Sequence, residues 1–310
     1  MKKKISVLVP VFNEEQNVEV ISNEIDLLFQ ELDFEYEILF VNDGSSDNSI
    51  NIIKQIVSQN DSIKYISFSR NFGKDNALLA GFKYATGDAL ITIDADLQHP
   101  IELIPEMLAL WQKGNEVVYA YRDDRNIHAS NFNQFTSRIF YHIINNLSDI
   151  ELEDGISDYR LLDRKVINSL NTLHEDRPFF RGLVKWVGFQ QIGIPYTPNA
   201  RKFGESKYSN KELLRLALVG ITSFSIKPLL IAIYLGFVFS LLSILYIPFV
   251  LISLYNGWAI SGWTSIIVTI AFFGGIQLMI LGIIGLYLGK LFMQSKQRPH
   301  FIIRESNIAI

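Results

Sequence analysis

The stretch Ile91-Thr92-Ile93-Asp94-Ala95-Asp96-Leu97-Gln98-His99-Pro100 joins an apolar strand to two carboxylates placed two residues apart. Residues i and i+2 of a strand face the same side, so Asp94 and Asp96 can converge on one divalent cation where the strand opens into a loop. Gln98 offers a third oxygen, and oxygen ligands of this kind suit Mg²⁺ or Mn²⁺. A solvated acidic turn would carry the same residues, so the rest of the chain has to decide between the two interpretations.

Polar clusters also follow three other predicted strands. The strands begin at Lys4, Tyr36 and Ile63, and the clusters that follow them are Asn13-Glu14-Glu15, Asn42-Asp43-Gly44-Ser45-Ser46-Asp47 and Arg70-Asn71-Phe72-Gly73-Lys74. Helical spacing of apolar residues between the strands predicts an α/β fold with a mostly parallel sheet, and such sheets bind ligands outside the carboxyl ends of their strands. The sequence therefore predicts a nucleotide-sized cleft with a metal at its mouth.

These clusters, together with Ser157-Asp158-Tyr159-Arg160-Leu161, resemble the ordered motifs of family 2 glycosyltransferases. With Arg201-Lys202-Phe203-Gly204-Glu205-Ser206-Lys207-Tyr208 and two apolar stretches behind it, the chain resembles the bacterial polyprenyl-phosphate glycosyltransferases related to dolichol-phosphate mannose synthase. The resemblance spans nearly the whole chain. It implies a GT-A type, Rossmann-like nucleotide-binding domain.

The resemblance also implies roles for individual residues. Asp94, Asp96 and Gln98 would hold the metal, and Asp96 and Asp158 would be catalytic. The residues implied to bind substrate are Pro10, Phe12, Glu14, Asp43, Lys74, Asp94, Arg122, Arg138, Arg201 and Lys207. Asp158 could act as a base, orient the acceptor, or form only a salt bridge with Arg160; the basic residues could instead form a solvated face or attract anionic lipid.

Composition excludes several other classes of protein. The 310 residues contain no cysteine, which rules out disulfides, thiolate metal sites and cysteine nucleophiles. A formal charge of −4 does not suggest a nucleic-acid-binding protein. Ser157 has neither a nearby histidine nor a nucleophile-elbow context, so hydrolase chemistry is not expected. The five histidines show no metal-binding spacing.

Two long uncharged stretches, Pro228 to Tyr255 and Gly262 to Gly289, are each long enough to cross a hydrocarbon core of about 30 Å. A buried hairpin of a soluble protein is the alternative. The loop between the stretches lacks Lys and Arg, whereas both outer flanks are basic, so the positive-inside rule places the catalytic domain and both termini in the cytoplasm. We expect a multi-pass protein of the bacterial cytoplasmic (inner) membrane.

The expected organisation has four parts. A cytoplasmic catalytic domain at 1–205 includes an amphipathic interface helix at about 130–148, and a second such helix covers 206–227. A transmembrane hairpin follows at 228–290, and a cytoplasmic C-terminal tail at 291–310. Core-facing helices would show the same periodicity as the two amphipathic segments; the resemblance favours the interface reading.

The expected activity is metal-dependent, inverting transfer of a sugar from a nucleotide-sugar donor to polyprenyl (undecaprenyl) phosphate. UDP-glucose is the expected donor, although no single residue selects it. The expected partners also include the lipid bilayer and, by resemblance, further copies of the chain in a homo-oligomer such as a tetramer, but no nucleic acid. The alternatives are a processive polysaccharide synthase, whose Gln-x-x-Arg-Trp motif this chain lacks, and a non-enzymatic nucleotide-binding membrane scaffold.

Overall fold

A computed structural model describes residues 2–122, 156–173, 175, 179–199, 225–256 and 262–308. Eight strands lie in the described chain: β1 (Lys4–Val11), β2 (Glu35–Asn42), β3 (Ile63–Phe68), β4 (Ala89–Thr92), β5 (Val117–Arg122), β6 (Ile156–Asp163), β7 (Gln191–Tyr196) and β8 (Ile303–Ser306). They form one sheet in the order β7-β5-β6-β4-β1-β2-β3-β8.

The helices of the described residues are α1 (Val18–Glu31), α2 (Ser49–Gln59), α3 (Lys74–Tyr84), α4 (Ile104–Gln112), α5 (Arg164–Asn171), α6 (Phe180–Trp186), α7 (Lys227–Tyr255) and α8 (Trp263–Ser295). A short 3₁₀ helix, Ile101–Leu103, precedes α4. The alternation of strands and helices over the first half of the chain confirms the predicted α/β class.

The predicted parallel arrangement holds in the centre of the sheet. Strands β3, β2, β1 and β4 run parallel to one another, so the loops that follow them meet at one edge. Strand β1 lies between β2 and β4, and the chain crosses from one side of β1 to the other between β3 and β4. Such a switch point opens a crevice at the carboxyl ends of the strands. Strand β6 then pairs antiparallel with β4 and brings its residues to the same edge.

Side chains of β1 alternate between two apolar layers, as expected for a strand covered on both faces. Val7 and Val9 pack into one cluster with α1 and α4, and Leu8 packs into the other cluster with α3 and α5. Gly81 of α3 lies so close to Leu8 that an added Cβ would fall 2.1 Å from a Leu8 methyl carbon. This close approach fixes α3, and with it Lys74 at its first residue, against the sheet.

The segment predicted as a C-terminal tail is only partly a tail. Helix α8 runs to Ser295, and residues 303–306 form β8, which pairs antiparallel with β3 at the edge of the sheet. No sequence pattern predicted this strand, because four residues are too few to show a period. The sheet therefore includes residues that follow the apolar hairpin.

Helix α7 matches the first predicted apolar stretch to within one residue, and α8 begins one residue after the start of the second stretch and ends six residues beyond it. Both are long and apolar enough to cross a bilayer, with candidate spans Lys227–Tyr246 and Val268–Ser295. Only 6% and 0% of these spans are buried inside the protein, which separates them from core helices of a soluble protein. Because β8 lies in the same sheet as β1, a hairpin that spans the membrane must return to the side on which it began.

Candidate active site

The turn that carries Asp94 and Asp96 lies just beyond the strand. Strand β4 ends at Thr92, before both carboxylates, because the chain bends into a turn after Ile93. The side chains still alternate, with Asp94, Asp96 and Gln98 half-buried and the residues between them buried. Leu97 is held at a φ of 61°, a left-handed conformation that non-glycine residues rarely adopt. The three oxygen-bearing side chains are thus the partly exposed ones of this turn, while their predicted convergence on one cation stays a prediction.

Lys74 connects Asp94 with Asp158. Its Nζ lies 2.6 Å from Asp94 Oδ1 and 3.0 Å from Asp158 Oδ2. Lys74 opens α3 after the β3 loop, Asp94 follows β4, and Asp158 lies on β6. Three elements that are distant in sequence thus bring three predicted site residues into direct contact.

Arg181 is a site residue that the sequence analysis missed. It donates from Nε to Asp158 Oδ1 at 2.8 Å and from its terminal nitrogen to Asp158 Oδ2 at 3.1 Å, a two-pronged pairing that fixes the carboxylate plane. The partner foreseen for Asp158 was Arg160, which instead donates from Nε to the Ser157 carbonyl at 3.2 Å.

The two cations keep the carboxylates charged. Burial alone would raise the pKa of Asp158, but Arg181 and Lys74 outweigh it and hold that pKa well below its usual range. Burial opposes ionisation of Asp94 in the same way, and Lys74 again prevails, so its pKa is lowered. The pKa of Lys74 is raised, because attraction to Asp158 and Asp94 exceeds the effect of burial. All of these groups are charged at neutral pH.

Asp75 is, after Arg181, a second residue beside the site that the sequence analysis did not select. It follows Lys74 directly, and burial together with the negative charge of Asp158 raises its pKa to about 6. Its side chain accepts a hydrogen bond from the Phe180 backbone amide, which lowers the pKa in part. Asp75 thus links the start of α3 to the start of α6, the helix that carries Arg181.

His99 lies beside Ser157, so the expectation that Ser157 lacks a nearby histidine was wrong. His99 Nε2 is 2.8 Å from Ser157 Oγ, and its Nδ1 accepts the Asp94 backbone amide at 3.2 Å. A ring whose Nδ1 accepts carries its proton on Nε2, so His99 donates to Ser157 and cannot remove its proton. Burial lowers the His99 pKa and favours this neutral form. The pair ties the Asp94 turn to β6 and supports no hydrolase mechanism.

Asp43 organises the loop between β3 and α3. It is buried, and its two oxygens accept the backbone amides of Phe72 at 2.6 Å and Gly73 at 2.9 Å. Burial raises its pKa despite these bonds. Gly73 has a φ of 99°, which a side chain would strain, and it directly precedes Lys74. Asp43 therefore sets the position of Lys74, while its predicted contact with a nucleotide stays a prediction.

The remaining residues predicted to contact the nucleotide lie at the end of β1 and in the following loop. Pro10 is half-buried, Phe12 is 38% exposed, and Glu14 accepts a hydrogen bond from Asn17 at 2.6 Å. Asn13 Oδ1 accepts the Ser46 backbone amide at 2.8 Å and so joins this loop to the loop after β2. The exposed ring of Phe12 leaves an aromatic surface at this end of the cleft.

Arg122 and Gln98 close the other end of the cleft. Arg122, the last residue of β5, lies 3.5 Å from Gln98 Oε1 and 3.4 Å from the Tyr196 hydroxyl. Both contacts are at the long limit for a hydrogen bond, so either side chain can turn to a ligand. Arg138, Arg201 and Lys207 lie outside the described residues, as do all of the first predicted amphipathic segment and residues 206–224 of the second.

The residues of the turn suit a divalent cation. Among the described residues, no cluster of three or more His, Cys, Asp or Glu side chains is placed to bind a metal. A cation here would therefore take two carboxylates and one amide oxygen from the protein and its other ligands from substrate or water, as Mg²⁺ commonly does. The Lys74 ammonium against Asp94 marks a position that attracts positive charge. The donor set fits Mg²⁺ or Mn²⁺.

Comparison with known proteins places the chain in a family. The Glycosyl transferase family 2 model matches residues 6–170. The uncharacterized glycosyltransferase YkcC of Bacillus subtilis is 43% identical over 97% of this chain and 93% of its own length. The bactoprenol glucosyl transferase of Shigella phage SfV is 41% identical over 97% of this chain and 98% of its own length.

The fold is also shared with a solved structure. Glucosyl-3-phosphoglycerate synthase from Mycobacterium tuberculosis covers 71% of this chain and 78% of its own, with a TM-score of 0.50 and 18% identity. At that identity the likeness speaks for the fold alone. The matched family model and the relatives of nearly equal length show that this chain belongs to glycosyltransferase family 2.

Proposed function

We propose that this protein is a membrane-bound, inverting glycosyltransferase that transfers glucose from UDP-glucose to polyprenyl (undecaprenyl) phosphate. The observation that carries the proposal is the cluster of Lys74, Asp94, Asp158 and Arg181 at the carboxyl edge of the sheet, in a chain with two exposed apolar helices. Relatives about 40% identical over almost the whole chain are named bactoprenol glucosyl transferase, after the polyprenyl lipid. The product would be a polyprenyl-phosphate sugar for modification of a cell-envelope glycan.

The donor would lie over the turn after β4. Asp94, Asp96 and Gln98 would hold a divalent cation, which when bound neutralises charge on the departing diphosphate. Lys74 adds a fixed positive charge beside Asp94. Pro10, Phe12, Glu14 and Asp43 are the proposed contacts of the nucleotide, at the end of the cleft where the loops after β1 and β2 interlock.

The phosphate of the proposed lipid acceptor is compatible with an Asp158 that stays ionised. A phosphate monoester has a second pKa of about 6, so it is largely a dianion at neutral pH. One of its oxygens would attack the anomeric carbon, the bond from that carbon to the diphosphate oxygen would break, and the nucleotide would leave with the electron pair. No proton has to be removed. An ionised Asp158 that holds Arg181 and Lys74 in place suits this reaction better than a Brønsted base.

The membrane hairpin would keep the lipid phosphate within reach of the site. Arg122, Arg138, Arg201 and Lys207 are the proposed cationic contacts of the two substrates, and the first of these lies at the cleft in the structure. The basic flanks of the hairpin favour a cytoplasmic catalytic domain in the bacterial inner membrane. Assembly into a homo-oligomer, such as a tetramer, stays part of the proposal.

The proposed domain division keeps the predicted boundaries, with one amendment. The catalytic domain covers 1–205, the second amphipathic helix 206–227 and the hairpin 228–290. The segment 291–310 contributes β8 to the catalytic sheet, so it belongs to the catalytic domain in three dimensions.

The direct test is transfer by purified full-length protein in detergent. Radiolabelled UDP-glucose, undecaprenyl phosphate and Mn²⁺ should give a labelled product that extracts into organic solvent, and omission of the lipid should abolish it. Exclusive use of GDP-mannose or UDP-N-acetylglucosamine would overturn the assignment of the donor. Transfer to a water-soluble sugar or protein, with polyprenyl phosphate ignored, would overturn the acceptor.

Stereochemistry provides a separate test of the single displacement. The α-linked glucose of the donor should appear β-linked to phosphate in the product, as read from its anomeric NMR coupling. Retention of the α configuration would exclude a single in-line displacement of the nucleotide by the lipid phosphate.

A further inference from the structure

Residues 69–74 form the loop that positions Lys74, and Asp43 holds one side of it. The two oxygens of Asp43 bind the amides of Phe72 and Gly73. Gly44 packs against the same loop so closely that a Cβ built on it would lie 2.3 Å from the Arg70 carbonyl carbon. Asp43 and Gly44 therefore support one side of the 69–74 loop, and both belong to the loop after β2, next to the proposed nucleotide contacts.

The other side of the loop is held by the last residues of the described chain. We call residues 301–308 the C-terminal strap. The Ser69 amide donates to the Ile302 carbonyl at 2.9 Å, so the strap is bonded to the loop where it leaves β3. The Phe301 ring stacks on Phe68 with a centroid separation of 4.9 Å, and Phe68 meets Phe72 edge-on at 5.8 Å. A continuous row of three rings thus leads from the strap to the loop.

The strap is firmly anchored beyond the loop. Glu305 pairs with Lys54 of α2 at 2.8 Å, and Asn307 exchanges hydrogen bonds with the backbone of Tyr65. These contacts and the β8 ladder are sufficient to cover the exposed edge of β3. They do not involve the row of rings that leads from Phe301 through Phe68 to Phe72.

We propose that the C-terminal strap is part of the donor site, and that Phe301 is a positioning residue that acts on Lys74 through Phe68 and Phe72. With Asp43 on one side and the strap on the other, the loop has a single position in which Lys74 reaches Asp94 and Asp158. The strap follows α8 after a short linker, so the donor site is completed by a segment that returns from the membrane hairpin. The effect on the donor rests on the proposed function; the effect on the loop does not.

The first test measures the loop without any substrate. Hydrogen exchange of full-length protein in detergent is followed in peptides that cover residues 69–76. Phe301→Ala should speed exchange there by on the order of tenfold, because the loop loses its support on the strap side and the bonds from the Phe72 and Gly73 amides to Asp43 should open more often. Phe301→Tyr keeps the ring and should restore protection. Ile302→Ala is the matched control: its side chain is 53% exposed and its carbonyl bond to Ser69 is retained.

Unchanged exchange in Phe301→Ala would overturn the proposal whatever the enzyme transfers. Faster exchange spread evenly over β3 and β8 would also overturn it, since the strap would then only cover the edge. If Phe301→Ala does not fold, Phe301→Leu takes its place under the same criteria. Because no substrate is present, this result is independent of the proposed activity.

The second test separates donor from acceptor. Phe301→Ala should raise the apparent KM for the nucleotide sugar by about threefold to tenfold and leave the KM for polyprenyl phosphate unchanged. Weaker binding of UDP alone, measured by calorimetry, should parallel the change in KM. Equal effects on both substrates, or a lower kcat with both KM values unchanged, would contradict a role on the donor side.

Discussion

The two ends of the central sheet both hold partly buried carboxylates, yet they are built in opposite ways. At the amino end, Glu37 accepts hydrogen bonds from Lys4 at 2.7 Å, from Ser6 at 2.6 Å and from the Thr86 amide at 2.7 Å. At the carboxyl end, Asp158 is paired with two long cationic side chains, Lys74 and Arg181. Glu37 shares one ammonium with hydroxyl and backbone donors, whereas Asp158 is held by two long cationic side chains.

The difference between Glu37 and Asp158 shows how a carboxylate that stabilises the fold can be distinguished from one that serves the proposed reaction. Burial opposes ionisation of Glu37, but its hydrogen bonds prevail and lower its pKa, so the group is satisfied without any ligand. The carboxylates at the other end are satisfied by an ammonium and a guanidinium, both about one third exposed and able to turn toward an anionic substrate. Substitutions at the two ends should therefore separate activity from stability.

The largest effect is expected at the turn after β4. Asp96→Asn should reduce transfer by roughly 100- to 1,000-fold with little change in Tm, because it removes charge at the proposed cation site. Initial rates and thermal unfolding of the purified protein measure the two quantities. Asp33→Asn is the matched control at the amino end, where the side chain is 87% exposed and pairs with Lys2. EDTA should abolish wild-type transfer and Mn²⁺ restore it; full activity in EDTA would exclude a metal.

A smaller effect is expected from Arg181→Met, with about 100-fold lower kcat, because Asp158 loses its two-pronged partner. The lowered pKa of Asp158 rests on Arg181 first and Lys74 second, so the substitution should raise that pKa. Asp158 would then become protonated at a higher pH, and the acid limb of the plot of rate against pH should move to higher pH.

Arg181→Lys should recover part of the rate, and Lys185→Met on the same helix should change neither kcat nor the pH of the acid limb. An unmoved acid limb would show that Asp158 does not govern it.

The sequence predicted the parts of the site that lie next to strands. Asp43, Lys74 and Asp94 each follow a predicted strand, and parallel strands bring such loops to one edge by geometry alone. Asp158 came from the resemblance, since nothing in its spacing indicates that β6 pairs with β4. The sequence could therefore predict that these residues lie at one edge of the sheet, but not the distances between them.

Arg181 and β8 could not be predicted, for physical reasons that differ. Arg181 reaches Asp158 from a seven-residue helix whose place depends on long-range packing, including the Phe180 ring against Phe82 at 5.2 Å. Strand β8 is defined by its partner β3, which lies more than 200 residues earlier in the chain. His99 beside Ser157 is likewise a product of the fold, and only the hydrogen bond from the Asp94 amide shows which nitrogen carries the proton.

The amino end should respond in the opposite sense. Glu37→Gln should lower the free energy of unfolding by about 2 kcal/mol, because a buried cluster loses its charge while Lys4 keeps its own. The kinetic constants of the folded protein should stay unchanged, since the residue lies at the end of the sheet remote from the cleft. Denaturant unfolding and transfer assays of the same preparation provide the comparison. A loss of activity without a loss of stability would remove the distinction drawn between the two ends.

The smallest effect is expected at Asp75, which lies at the active edge. Within the described part of the chain, Asp75 is neither paired with a cation like Asp158 nor enclosed by hydrogen bonds like Glu37. Its pKa is raised from 3.8 to about 6, chiefly by burial and then by Asp158. The folded state therefore binds this proton more tightly than the unfolded state does, so the contribution of Asp75 to stability is full below about pH 4 and is lost as pH rises through about 6.

Asp75→Asn cannot ionise, and its amide oxygen can still accept the Phe180 amide. The variant should match the wild type near pH 4 and exceed it by about 1 kcal/mol above pH 7, an amount below the full equivalent of the shift because the side chain is partly solvated. Thermal unfolding at a series of pH values gives the measurement. A stability difference that does not grow between pH 4 and pH 7 would show that Asp75 ionises freely and that the active edge has no strained carboxylate at this position.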